Sequence, residues 1–133
     1  MAATLAPRLI QKEHELPNPF MHVELLSTDM TKARGFYSQI FNWTFRDIPR
    51  AGNPYTMIDV GEGTGGNFVE SPLAGSNPFW LAYVAVEDMK QTLEAVLANG
   101  GAVVRDEAEE PGMGSFAIIK DPMGATLGLW QAP

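Results

Sequence analysis

Two spacings of apolar residues alternate along the chain, and the alternation occurs twice. Residues 22–28, HVELLST, read as a short half-buried strand. After Asp29, the apolar positions Met30, Ala33, Phe36, Tyr37, Ile40 and Phe41 recur every three or four residues, which places them on one side of a helix. Further on, LAYVAVE at 81–87 is again strand-like, and Met89, Leu93, Val96 and Leu97 repeat the helical period after Asp88. Asp29 and Asp88 each stand where a carboxylate can accept from the free N–H groups of a first helical turn. Asn99-Gly100-Gly101 ends the second helix. Short strands are predicted at about 44–48, 55–60 and 66–70, and again at about 102–106, 115–120 and 125–130. Glu62 to Gly66 and Asp121 to Gly124 supply the turns that join the last two strands of each set.

Residues 22–70 can be laid over residues 81–129 without a gap. Asp29 then falls on Asp88, Met30 on Met89, Arg46-Asp47 on Arg105-Asp106 and Gly65 on Gly124. The identities are few, but the order of elements coincides, and each half reads βαβββ. The predicted organisation is an N-terminal arm at 1–19 and one domain at 20–131. Module one covers about 20–70, a Pro, Gly and Ser-rich linker 71–78, and module two about 79–131. The fold class is α+β. A βαβββ module covers one apolar sheet face with its helix and needs a partner for the other. Two modules related by a pseudo-twofold would therefore curve mixed sheets around a cleft.

Composition narrows the partners. The 133 residues carry a net charge of −7, and hydrophobic residues make up 45%. The pI is about 4.7. An acidic surface repels phosphate backbones and anionic lipid, so neither nucleic acid nor membrane is an expected partner. There are no cysteines, which excludes disulfides and thiolate metal sites and agrees with a cytoplasmic location. The only two histidines are His14, in the arm, and His22.

Three stretches resemble the glyoxalase / bleomycin-resistance / dioxygenase superfamily, also called vicinal oxygen chelate proteins. They are DMTKARGFYSQIFNW (29–43), VAVEDMKQTLEAVLANGG (84–101) and FAIIKDPMGATLGLW (116–130). The resemblance implies paired βαβββ modules, a small-molecule ligand in the cleft between them and, commonly, a homodimer. In metal-using members it also implies a divalent cation, such as zinc, nickel or manganese, held by two ligands from each module. Carried over residue by residue, His22 takes the first-strand ligand position, and Leu81 takes its counterpart in the second module. The last-strand positions fall on Gly128 and on either Val69 or Glu70, depending on which glycine of the turn is counted from. Leu81 and Gly128 offer no side-chain donor, which leaves His22 and Glu70 as an incomplete metal set, short of the three protein ligands of a catalytic zinc site.

Glu24 lies two residues from His22 and shares its face. It can pair with the histidine as a catalytic dyad, serve as an alternative carboxylate ligand, form a salt bridge across the sheet, or stand exposed at the cleft mouth. Phe68, Leu81, Tyr83, Gly128 and Trp130 are candidate ligand-binding positions and would give a largely apolar, aromatic lining. Residues 48–54 and 107–114 are expected to be loops flanking the opening, with Glu107, Glu109 and Glu110 as a solvated acidic stretch. The expected function is small-molecule binding in the cleft, without an intact metal site and with no cofactor. The alternatives are a divalent-metal-dependent lyase, isomerase or dioxygenase with a reduced ligand set, and a subunit whose sheet faces serve assembly alone.

Overall fold

The computed structural model describes residues 18–49, 54–75 and 77–133. Most of the N-terminal arm, His14 with it, and the centre of the expected loop at 48–54 lie outside the described residues. Eight strands and two α-helices follow the predicted order: β1 (Phe20–Ser27), α1 (Met30–Ile40), β2 (Thr44–Ile48), β3 (Tyr55–Asp59), β4 (Gly66–Glu70), β5 (Phe79–Ala85), α2 (Met89–Ala98), β6 (Ala102–Glu110), β7 (Gly114–Lys120) and β8 (Thr126–Gln131). The α+β class and the two βαβββ sequences are as expected. Among the described residues no helix is long and apolar enough to cross a membrane.

The chain divides into two compact units between Tyr83 and Val84, inside β5 rather than in the 71–78 linker. Within the first unit the strand order is β2–β3–β4–β1–β5. β1 and β4 run parallel, with Val23 opposite Gly66, Glu24 opposite Asn67 and Leu25 opposite Phe68. β3 is antiparallel to both β2 and β4. Asp29 starts α1 as read from the sequence, its carboxylate accepting from Lys32 N at 3.0 Å. The inner side of the helix, Met30, Ala33 and Tyr37, packs on Leu25, Ile58 and Phe68, with Trp43, Phe45 and Val60 around them. Phe68 is fully buried. Removing side chains of this size from water stabilises the unit by about 1.5–3 kcal/mol each.

Residues Phe79 to Tyr83 belong to the first unit because their side chains are tied into it. Trp80 Nε1 donates to Tyr37 Oη at 3.2 Å. Its ring also meets those of Trp43 and Phe68. Tyr83 reaches β1 from the opposite face, as described below.

The second unit comprises Val84–Pro133 with Asn18 and Pro19, and its strand order is β8–β7–β6. Ala85 N donates to Pro19 O at 3.0 Å, and Asn18 Nδ2 to Ala85 O at 2.8 Å. Asp88 caps α2 through Gln91 N at 3.0 Å. Met89 and Leu93 pack on Val86, Ala117, Ile119 and Leu129. The helix ends as predicted, with Gly100 at a φ of 89° that other residues rarely adopt.

One expectation is corrected here. Residues 107–110 continue β6 as a strand, and only residues 111–113 turn. Ala108, Glu109 and Glu110 pair with Phe116, Ser115 and Gly114, beyond two register irregularities between Val103 and Ala108. Glu107 Oε2 accepts from Ser115 Oγ at 2.8 Å. Glutamates read as loop in a sequence, but a strand at the end of the order tolerates charged side chains that face water.

The close approach of β1 and β4 depends on Gly66, where an added Cβ would lie 2.1 Å from Val23 O. Gly66→Ala is therefore expected to cost about 1–3 kcal/mol in urea unfolding. Gly65→Ala, whose nearest neighbour would be 3.4 Å away, should cost less. Equal midpoints for the two variants would refute this account. A second expectation concerns Asp47, which accepts from Thr56 Oγ1 at 2.9 Å and from Arg34 at 2.9 and 3.1 Å. These bonds, that from Thr56 foremost, hold its carboxyl below the ordinary value of 3.8. Its contribution to stability is thus present above that value and is lost as pH falls through the lower, folded one. The stability difference between the natural chain and Asp47→Asn, followed by acid unfolding, should be largest near neutrality and shrink below about pH 4.

Candidate functional site

In a strand, neighbouring side chains point to opposite faces. β1 therefore sends Val23 and Leu25 toward α1, and His22, Glu24 and Leu26 the other way. The β1–β4 register puts Asn67 and Val69 on the His22 face. On β5, Leu81 and Tyr83 share that face, and Trp80 takes the helix side.

Four polar side chains meet there. Tyr83 Oη donates to Glu24 Oε1 at 2.7 Å, and Asn67 Nδ2 donates to Glu24 Oε2 at 3.0 Å. Asn67 Oδ1 lies 2.5 Å from His22 Nε2. The His22 and Tyr83 rings pack edge to face with centroids 6.1 Å apart. Asn67 and Tyr83 are buried, at 4% and 6% exposure, whereas His22 and Glu24 are half-buried. The carboxylate thus has a donor on each oxygen, as a charge partly removed from water requires.

His22, Glu24, Leu81 and Tyr83 are brought together as the alternation predicted, though Glu24 contacts Asn67 and Tyr83 instead of pairing with His22. Two other residues lie elsewhere. Phe68 belongs to the core beneath α1 and does not line this face. Glu70 also points to the helix side, where its Oε1 accepts from Met30 N at 3.4 Å at the start of α1. Val69, buried at 7% exposure, takes the slot that Glu70 would have needed. The reason is register, since a one-residue change moves every side chain of a strand to the other face. In the second unit, Gly128 pairs with Ile118 and Trp130 with Phe116, on the face turned away from α2. Trp130 Nε1 donates to Met113 O at 2.7 Å.

Asn67 escaped the sequence reading. Its signal was present, because it stands two residues before Val69, but it becomes visible only once Val69 rather than Glu70 is assigned to the His22 face.

The donor set of this face does not fit a metal ion held by the chain. His22 and Glu24 supply one imidazole and one carboxylate, Glu70 lies on the opposite face, and Leu81 has no donor, so the chain falls short of the three protein ligands of a catalytic zinc site. Among the described residues, no three or more His, Asp or Glu side chains come close enough to share an ion.

The strand and helix order, with a polar cluster on the sheet face away from the helix, defines a glyoxalase-type α+β protein. Residues 20–129 match the family described as the Glyoxalase/Bleomycin resistance protein/Dioxygenase superfamily, and the chain belongs to it. A Mycobacterium tuberculosis protein that carries the name glyoxylase is 35% identical over 115 residues, which cover 83% of this chain and 44% of that protein. The lactoylglutathione lyase of Arabidopsis thaliana is 29% identical over 123 residues, covering 84% and 44%. The chain thus spans less than half the length of these relatives. Among solved structures, methylmalonyl-CoA epimerase from M. tuberculosis superposes with a TM-score of 0.63 at 14% identity, covering 86% of this chain and 87% of that one. The Bacillus halodurans protein BH1468 gives 0.66 at 14% identity, covering 89% and 96%. These likenesses establish the fold.

Tyr83→Phe tests how far Glu24 depends on its donors. Removing the hydroxyl leaves one carboxylate oxygen without that partner at a half-buried position, and the expected cost is about 1–3 kcal/mol in urea unfolding. A change within a few tenths would mean that water replaces the phenol freely.

Proposed function

We propose that the chain binds a small molecule against the His22–Glu24–Tyr83 face, without a metal ion held by its own side chains. The observation that carries this reading is the commitment of both Glu24 oxygens to Asn67 and Tyr83. That arrangement stabilises the carboxylate as an acceptor of hydrogen bonds and ties it to two neighbouring strands. His22 is then the polar group offered to a ligand, beside the edge of the Tyr83 ring. A face of this composition suits a compact, partly apolar or aromatic molecule with one hydrogen-bonding group. The acidic balance of the chain favours neutral or cationic ligands over anionic ones.

The names of relatives support a second reading. One is named a glyoxylase and another a lactoylglutathione lyase, and the sequence resemblance carries the first-strand ligand position onto His22. Divalent-metal lyase or isomerase chemistry would need further donors, from substrate, from water or from outside this face.

Thermal unfolding separates the two. Chelator-treated protein is expected to melt at the same temperature with and without excess zinc, nickel or manganese. A ligand at a hundredfold excess over its Kd stabilises a fold by about 2.7 kcal/mol, well within reach of a melting curve. A metal-dependent rise that disappears in His22→Ala would favour the second reading. Stabilisation by members of a panel of small aromatic and cationic compounds, lost in His22→Ala, is the outcome expected here.

A further inference from the structure

We propose that Asn67 is a positioning residue that holds the His22 imidazole as its Nε2–H tautomer, leaving Nδ1 as the acceptor presented to a ligand. The inference rests on the reading of this face as the binding face, but its premise is a hydrogen-bond geometry internal to the protein.

The chain of donors begins at Glu24, because a carboxylate only accepts. Tyr83 Oη supplies the hydrogen for Oε1. Oε2 faces the Asn67 carboxamide at 3.0 Å, and only the NH2 end of that group can serve it. Turned the other way, the amide would set two acceptor oxygens against each other at hydrogen-bond distance, in a position where Asn67 is 4% exposed and water has little access. Oδ1 must therefore point at His22. An amide oxygen has no proton to give, so at 2.5 Å the hydrogen belongs to Nε2. Two lone pairs at that separation would repel.

No side chain or backbone group among the described residues takes a hydrogen bond from His22 Nδ1 or gives one to it. In the neutral ring this nitrogen carries the lone pair. The ligand class that follows is a small molecule with an O–H or N–H donor to direct at Nδ1. If the ring takes up that proton, Nε2 keeps its own hydrogen and the bond to Asn67 survives. The proton can thus arrive and leave without disturbing Glu24 or Tyr83.

The tautomer can be read directly by 15N NMR of histidine-labelled protein, with His14→Gln leaving one ring in the spectrum. For the neutral ring of the natural His22, a single Nε2–H form is expected, with Nδ1 showing the shift of an unprotonated ring nitrogen. Glu24→Gln supplies the decisive contrast. Tyr83 would still donate to the carbonyl of the new carboxamide, whose NH2 end would then face Asn67 and demand its oxygen. Asn67 would turn over, present Nδ2 to His22 Nε2, and shift the proton to Nδ1. The expected result is a move of the population toward the Nδ1–H form in a variant of nearly unchanged shape, with circular dichroism confirming the fold. In Asn67→Ala the Nε2–H resonance should lose its protection from exchange with water. An Nδ1–H form or an average of the two in the natural protein overturns the proposal, as does an unchanged tautomer in folded Glu24→Gln. No ligand is present in these samples, so a failed compound screen would count against the proposed function and leave the tautomer result standing.

Discussion

The arrangement of the first unit turns on one carboxylate. Glu24 sits on β1, receives a hydrogen bond from Asn67 on β4 and another from Tyr83 on β5, and so links three strands of the sheet by side chains as well as backbone. A half-buried charge is costly unless its lone pairs are occupied. The same requirement that satisfies Glu24 also orients the Asn67 amide, and through it the ring of His22. Charge-assisted bonds of this kind are roughly twice as strong as neutral ones, which makes them effective at fixing geometry. Glu24 and Tyr83, the acceptor and the donor, fall on one another in the internal sequence repeat, 59 residues apart.

The strand pleat separates stability from chemistry. Leu25, Phe68 and Ile58 take the helix side of the sheet and build the apolar core with α1. His22, Glu24, Asn67 and Tyr83 take the other side. Gly66 lets β1 and β4 come close enough for the Glu24–Asn67 bond to form. Glu70 serves the helix side, where its carboxylate accepts from the first N–H of α1 and favours the positive end of the helix dipole. A residue that the superfamily resemblance implied as a metal ligand is thus used here to start a helix.

Membership of the superfamily brings a fold shared by proteins of different named activities, a lyase and an epimerase among them. Fold does not choose between these chemistries, which depend on the groups set upon it. In this chain the group hydrogen-bonded to His22 is an amide, that of Asn67. An amide donates and accepts at once, so it passes an orientation from Glu24 to the imidazole, whereas a carboxylate in its place would bring a second negative charge next to Glu24.

The sequence by itself determined the elements. Both N-caps, both helices, the order of the strands and the turn glycines depend on residues close together in the chain, and their spacing is legible without a structure. The charged end of β6 was not legible, because Ala108, Glu109 and Glu110 form a strand only through pairing with residues 114–116. The pairing of β1 with β4 was also beyond reach. Whether Val69 or Glu70 joins His22 depends on which residues of two strands, separated by a helix and two further strands, stand opposite each other. Only tertiary packing decided that: Phe68 is large and apolar and goes beneath α1, so Asn67 and Val69 must turn the other way, and with them the partner that orients His22.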